Sequence, residues 1–284
     1  MRTIRTIAEM RAWLGNCRAE NRSVGLVPTM GAFHAGHHSL MRAARADHDA
    51  VVVSLFVNPT QFNDPKDLQD YPRSEANDAA EAAELGVDVL FAPPTSEIYP
   101  EGFATTVSVA GLSEVLEGAE RGPGHFAGVC TVVCKLLNIV APDAAYFGQK
   151  DAQQVAVVKR MVRDLDIPSK IEVLPTVREP DGLALSSRNV RLGPEDREKA
   201  LSLSRALFAA RDAVAAGERD AERVRAIALQ HLEDPEYLAI VDPTTFSPLT
   251  AIAGTALVAV AARVGPVRLI DNLVLEPVPA PVAT

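Results

Sequence analysis

Residues Val24–Leu40 read VGLVPTMGAFHAGHHSL, and the order of parts within them sets the fold. VGLV (Val24–Val27) is a continuous apolar run of the kind buried on both faces of a parallel sheet. A turn carrying Gly31 and Gly36 follows, and a helical pattern takes over between His34 and Ser39. Strand, glycine-containing turn and helix open a doubly wound α/β unit, in which ligands sit beyond the carboxyl ends of the strands. Three of the chain's six histidines, His34, His37 and His38, crowd into that turn. Taken alone, the crowding suits a metal cluster, a phosphate cradle or core packing.

Working outward, the same alternation continues to about residue 175. AVVVSLFV (Ala50–Val57), VDVLFA (Val87–Ala92), AAYF (Ala144–Phe147) and KIEVLP (Lys170–Pro175) read as further strands. Helix candidates lie near His37–Asp47, Ser74–Leu85, Val129–Val140 and Asp151–Leu165. A doubly wound sheet should collect polar residues just after its strands, and it does. Thr29–His37, NPTQF (Asn58–Phe62), GQKD (Gly148–Asp151) and TVREPDGLALSSRN (Thr176–Asn189) each follow a strand. These four clusters are expected on one rim.

After Asn189 the texture changes. GPEDREKALSLSRALFAARDAVAAG begins with Pro194 and acidic residues and reads as a long amphipathic helix. A second helix near Ala221–Leu232 and strands at YLAIVD, ALVAVAARV and VRLIDNLVL complete a small α+β domain. The tail PVPAPVAT, 277–284, is expected to lack fixed structure.

Composition narrows the function. Hydrophobic residues at 48% and charged residues at 23% fit a folded globular chain. A formal charge of −9 speaks against a nucleic-acid binder with a broad basic face, and it obliges any anionic ligand to find local cations or a metal. Three cysteines, Cys17, Cys130 and Cys134, give no disulfide framework and suit a reducing cytoplasm. The amphipathic N-terminus lacks the apolar stretch of a secretion signal, and AIAGTALVAVAA (Ala251–Ala262) is too short to span a bilayer. A soluble cytoplasmic protein is expected.

The polar clusters read best as an anion site. Helix N–H groups and the helix dipole would face the rim beside Gly31 and Gly36, and His34 and His37, three apart, would share a face of the first turn. His48, His125 and His231 show no zinc-type spacing to the cluster. In FGQKDAQQ, Gly148 turns the chain off its strand, Lys150 supplies a cation for a polyphosphate, and Asp151 suits ribose hydroxyls. LSSR (Leu185–Arg188) sets two hydroxyls and a guanidinium in a row, a phosphate clamp in chemistry although such tetrapeptides often only cap a turn. Asn58, Gln61 and Gln154 are uncharged donor–acceptor groups suited to a small polar acid, with Phe62 as an apolar wall. No G-x-x-x-x-G-K-[ST] occurs, and the glycines of GPGHFAG lack dinucleotide spacing.

The ordered set VPTMGAFHAGH, FVNPTQF, YPR, GHFAGV, FGQKD, PTVRE, DGLA, SSRN and RLIDNL resembles the AMP-forming pantoate–β-alanine ligases of the H-x-G-H nucleotidyltransferase superfamily. The resemblance spans nearly the whole chain. It implies a Rossmann-like domain, 1–176, binding ATP and pantoate, and a small C-terminal lid domain, 177–284. It also implies Mg²⁺ and a homodimer, while the charge and the lack of a spanning segment lead to the expectation of no nucleic-acid or membrane partner. Carried over, Met30, Gly31, Ala32, Phe33, His34, Ala35, Gly36 and His37 would line the ATP site, with His37 as proton donor and His34 beside the phosphates. Gly148, Gln149, Lys150, Asp151, Val177, Leu185, Ser186, Ser187 and Arg188 would complete that site, with Lys150 catalytic. Gln61 and Gln154 would hold pantoate, Gln61 would lie near β-alanine, Asn58 would assist, and Asp78 would be an Mg²⁺ ligand. The chain departs from the family at Gln149, where Glu is common, and at His38, usually apolar, to which no role is given. Asn77 also stands where an acidic residue is common. The 64–71 loop and the second domain are candidates for a lid.

Two rivals remain. An adenylyltransferase that leaves AMP on its product would share the ATP residues but need no site for two small carboxylates, against which Gln61 and Gln154 speak. A nucleotide-binding regulator without catalysis would be expected to lack His37, Lys150 or Arg188, and all three are present.

Overall fold

A computed structural model describes residues 1–276, so the tail expected at 277–284 lies outside the described residues. Its elements in chain order are β1 (Arg2–Ile4), α1 (Ile7–Ala19), β2 (Val24–Thr29), α2 (Ala35–Asp47), β3 (Ala50–Leu55), α3 (Pro65–Gln69), α4 (Glu75–Glu84), β4 (Val89–Phe91), α5 (Thr95–Ile98), α6 (Glu117–Arg121) and α7 (Pro123–Val140). There follow β5 (Ala144–Gly148), α8 (Ala152–Asp164), β6 (Lys170–Leu174), α9 (Pro194–Ala215), α10 (Ala221–Leu229), β7 (Tyr237–Val241), β8 (Ala256–Val264) and β9 (Val267–Leu275). One-turn 3₁₀ helices form at Pro59–Gln61, Gln149–Asp151 and Asn189–Arg191. The chain divides into two compact units, Met1–Gln149 with Gln153–Pro175, and Lys150–Ala152 with Thr176 onward.

The first unit is a parallel sheet in the order β1-β4-β3-β2-β5-β6. The apolar runs become its central strands because both faces are covered. Val24, Leu26, Val27 and Val51–Val53 are all buried, and β2 pairs with β3 at Leu26↔Val52 and with β5 at Leu26↔Ala145. Helix α2 turns Leu40, Met41 and Ala44 onto that sheet, where they join Val27, Val53, Leu90 and Tyr146. Complete burial of a side chain such as Met41 contributes about 1.5–3 kcal/mol. The Tyr146 hydroxyl donates to Asp47 at 2.8 Å and so fixes the far end of α2 to β5. Strand order reverses between β2 and β5, so the ligand crevice of an open sheet falls beyond Thr29 and Gly148.

Every strand and helix predicted from the sequence forms, with shifted ends. Helix α7 starts six residues before the expected Val129, running through Gly124 and Gly128. Gly128 has a packing reason to be glycine: a Cβ there would sit 2.5 Å from the Thr60 carbonyl oxygen. Apolar periodicity could not register a glycine that lets a helix touch the Pro59–Gln61 turn. Thr6 caps helix α1, its Oγ1 accepting the Glu9 N–H and donating to the Glu9 carboxylate.

In the second unit β7-β8-β9 form an antiparallel sheet, paired at Val260↔Asp271 and Ala259↔Asn272 among other positions. Helix α9 buries Ala200, Leu203, Leu207, Ala210 and Val214 at helical spacing, against Val258 and Val260 of the sheet.

Candidate active site

At the β2 rim, H-x-G-H is one mechanical unit. His34 is the N-cap of α2, in extended backbone, and its Nδ1 accepts the Gly36 N–H at 3.2 Å. That bond leaves the His34 proton on Nε2. A Cβ on Gly36 would meet His34 Cε1 at 2.9 Å and Nδ1 at 3.0 Å, so glycine is what allows the ring to fold back over the helix end. The His37 ring packs against it at a tilt of 37°, with centroids 4.1 Å apart, and the Phe33 ring lies 5.5 Å from His37.

Burial, and then the neighbouring His34 and His38, push the His37 pKa down from 6.5 to about 3. His37 is therefore neutral at physiological pH and offers one ring N–H, while its Nδ1 has no hydrogen-bond partner among the described residues. His38 points elsewhere and pairs with Glu81 of α4 at 2.7 Å, which accounts for the one histidine of the cluster that has no expected role.

Beneath the loop, Asp78 of α4 accepts the Ala32 N–H at 3.0 Å on Oδ2 and the Phe33 N–H at 2.9 Å on Oδ1. The carboxylate is only 2% exposed. Ala32 has φ of 53° and Gly31 of 87°, so Asp78 holds a left-handed bend that costs alanine about 1–2 kcal/mol. The Ala32 and Phe33 N–H groups are thereby used inside the protein. Among the described residues, no three His, Cys, Asp or Glu side chains converge as a metal-holding set.

The Asn58 turn forms a second wall. Asn58 is 1% exposed, and its amide is satisfied on both sides. Its Nδ2 donates to Gln61 Oε1 at 3.0 Å and to the Gly128 carbonyl at 3.1 Å, and its Oδ1 accepts from Thr60 Oγ1 and the Tyr99 hydroxyl. Asn58 thus supports Gln61 and has little left for a ligand. Gln61 Nε2 reaches Met30 Sδ at 3.1 Å, which puts the amide beside the histidine loop. His125 Nδ1 contacts the Gln61 carbonyl at 2.8 Å and holds the turn from α7. Tyr99, His125 and Gly128 carry this wall, and sequence reading gives them no role. The motif GHFAGV contains the signal for two of them.

On α8 the two glutamines part ways. Gln153 is buried and spends its amide on Leu112, Val115 and Glu117 backbone atoms, whereas Gln154 is half-buried. Among the described residues no hydrogen bond joins Gln154 to Gln61. Gly148 and Gln149 leave β5 half-buried, and Asp151 is exposed.

In the second unit, residues 177–185 form a small hairpin. Leu185 N–H donates to the Val177 carbonyl at 3.0 Å, Arg178 bridges Ala184, and Gly182 turns with φ of 97°. Ser186, Ser187 and Arg188 follow it directly, half-buried, with the Arg188 N–H on Ser186 Oγ at 3.2 Å. Lys150 belongs to this unit, its carbonyl accepting from Asn272 at 2.8 Å.

Fold and site together define an open α/β protein with one imidazole capping a helix at the sheet's switch point and a second beside it in the helix's first turn. Comparison with known proteins narrows that class to one family. The family model described as pantoate-beta-alanine ligase matches residues 2–274. Pantothenate synthetase of Moorella thermoacetica is 56% identical, the match covering 97% of this chain and 99% of that protein. That of Heliobacterium modesticaldum is 53% identical over 97% and 100%. The crystal structure of pantothenate synthetase from Thermus thermophilus superposes with a TM-score of 0.92 at 51% identity, over 98% of this chain and 100% of that one. Pantoate-beta-alanine ligase from Francisella tularensis, solved with β-γ ATP and β-alanine, gives 0.78 at 38% identity, over 96% and 97%. The chain belongs to the pantoate–β-alanine ligase family.

Proposed function

We propose that this protein condenses (R)-pantoate with β-alanine at the expense of ATP, through a pantoyl adenylate, releasing AMP and pyrophosphate. The observation that carries the chemistry is the His34–Gly36–His37 arrangement at the N-terminus of α2, next to a Gln61 amide oriented by Asn58. Imidazole N–H donors at a helix N-terminus suit phosphate oxygens, and an amide donor suits a carboxylate.

In the first step the pantoate carboxylate oxygen bonds to the α-phosphorus and pyrophosphate leaves. The protein supplies no nucleophile, so catalysis is alignment and stabilisation of phosphoryl charge. Donors for that task are the His34 and His37 rings, the Lys150 ammonium, and Ser186, Ser187 and Arg188, each worth about 2.7–4 kcal/mol if well aimed. A neutral His37 acts first as a hydrogen-bond donor, and bound polyphosphate raises its pKa toward the range in which it passes a proton. In the second step the β-alanine amine, having lost a proton, attacks the acyl carbon and AMP leaves. The remaining ATP assignments at Met30–Phe33, Gly148, Gln149, Asp151, Val177 and Leu185, and the pantoate role of Gln154, stand with the family reading.

Magnesium is read as travelling with ATP. Both Asp78 oxygens already accept backbone N–H groups, and the described residues form no metal cage, so Asp78 is read as the anchor of the 31–33 loop. Mg²⁺ sheds water reluctantly and commonly binds through substrate phosphates. Residues 1–176 are read as the ATP- and pantoate-binding domain and 177–284 as the lid domain, in a cytoplasmic homodimer. No helix among the described residues is long and apolar enough to cross a membrane.

The test is pyrophosphate release from Mg·ATP with pantoate present and β-alanine absent, then added. A pantoate-dependent burst that turns into steady release on adding β-alanine is expected. Release indifferent to pantoate would contradict the reading.

A further inference from the structure

Two adjacent buried residues of β9, Asp271 and Asn272, each tie a different distant segment to the second unit's sheet. Asp271 receives both arms of Arg178, Nη1 to Oδ2 at 2.6 Å and Nη2 to Oδ1 at 2.9 Å. Arg178 also donates to the Gly182 carbonyl at 3.1 Å, so one guanidinium binds β9 to both sides of the 177–185 hairpin. Ser186–Arg188 continue from that hairpin, and Asn189 stitches them down by donating to the Ala184 carbonyl at 3.0 Å. Next door, Asn272 Nδ2 donates to the Lys150 carbonyl at 2.8 Å, a bond across 122 positions of sequence.

Lys150 sits in a single 3₁₀ turn, which has few hydrogen bonds of its own to fix it. A donor on its carbonyl sets the orientation of that peptide and the origin of the lysine side chain. We propose that Asn272 and Asp271 are positioning residues: Asn272 sets Lys150, and Asp271, through Arg178, sets the Ser186–Arg188 segment, so that one strand holds both segments whose cations, Lys150 and Arg188, are offered to ATP. The proposal rests on the phosphate-binding role given above to Lys150 and Arg188.

A double-mutant cycle separates positioning from general structural support. Pantoate-dependent pyrophosphate release is measured for Lys150→Ala, Asn272→Leu (near-isosteric, lacking the donor) and the double variant, with thermal melting of each. Lys150→Ala is expected to lose about 10²–10³ in rate. Asn272→Leu is expected to lose about 10- to 100-fold, the scale of a misplaced catalytic group. The double variant should fall within about threefold of Lys150→Ala alone, because a missing ammonium cannot be misplaced further. Losses that multiply, or no loss for Asn272→Leu, overturn the Asn272 assignment and leave the Lys150 role standing. Near-normal release by Lys150→Ala would instead remove the Lys150 role, and the positioning claim with it. If Asn272→Leu fails to fold, Asn272→Ser carries the same cycle with a smaller perturbation. For the second arm, Arg178→Lys keeps a charge opposite Asp271 but loses the fork, and the ATP KM should rise about tenfold. An unchanged ATP KM overturns that arm.

Discussion

Asn58 Nδ2 donates to Gln61 Oε1 at 3.0 Å, and that bond decides which end of the Gln61 amide is offered. With the oxygen engaged, the NH₂ group is presented, a donor matched to a carboxylate. Gln61→Glu replaces that donor by a charge and should raise the pantoate KM at least about tenfold, with melting little changed. An unaltered pantoate KM would remove Gln61 from the substrate site. Asn58→Leu should cost about 1–3 kcal/mol in urea unfolding, because the Gly128 carbonyl and the Tyr99 hydroxyl lose a buried partner.

Gly36→Ala tests the H-x-G-H unit without replacing a polar side chain. The new methyl displaces the His34 ring from its cap, while alanine favours the helix that follows. Stability is expected to change by less than about 1 kcal/mol, and adenylation to fall about 10²-fold. Full activity in this variant would mean that His34 does not work from the position observed.

Asp78→Asn distinguishes a loop anchor from a metal ligand. The amide can accept only one of the two N–H groups now bound, and it turns a donor toward the other. A loss of about 1–3 kcal/mol in stability is expected. The Mg²⁺ concentration for half-maximal rate should stay at its wild-type value. A large rise in that concentration at unchanged stability would return Asp78 to the metal.

The depressed His37 pKa fixes a sign. Between 6.5 and about 3 the unfolded chain holds a proton at this residue that the native state lacks. Stability from this group is therefore complete above 6.5 and falls as the pH drops toward 3. His37→Gln should flatten the stability profile in that window by up to about 1.4 kcal/mol per pH unit. In the wild type, a polyphosphate ligand should move the His37 resonance titration upward. A titration midpoint near 6.5 in the free protein would contradict the burial described here.

The sheet was legible because its strands are buried on both faces, so VGLV and AVVVSLFV needed no partner to be read. The meeting of Thr29–His37 with Asn58–Phe62 was legible for the same reason: polar residues after such strands gather beyond the strand ends, where Gln61 Nε2 meets Met30 Sδ. What stayed hidden were contacts that depend on distant segments meeting. Gly128 reads as a poor helix residue until the Thr60 carbonyl is seen against it. Asn58 reads as a substrate group until Tyr99 and Gly128 use up its amide. Asp271 and Asn272 stand out within RLIDNL, but their partners, 93 and 122 residues away, do not show in the sequence. Gln153 and Gln154 differ by one position, yet Gln153 is buried with its amide on backbone atoms and Gln154 stays half-buried, which no spacing rule foretells.

The most direct measurement of the central claim uses pantoate labelled with ¹⁸O in its carboxylate. Attack by that oxygen on the α-phosphorus leaves it on AMP once β-alanine has taken the acyl group. One labelled oxygen per AMP, with unlabelled pyrophosphate, is the result this account predicts. Label absent from AMP, with pantothenate still formed, would contradict it.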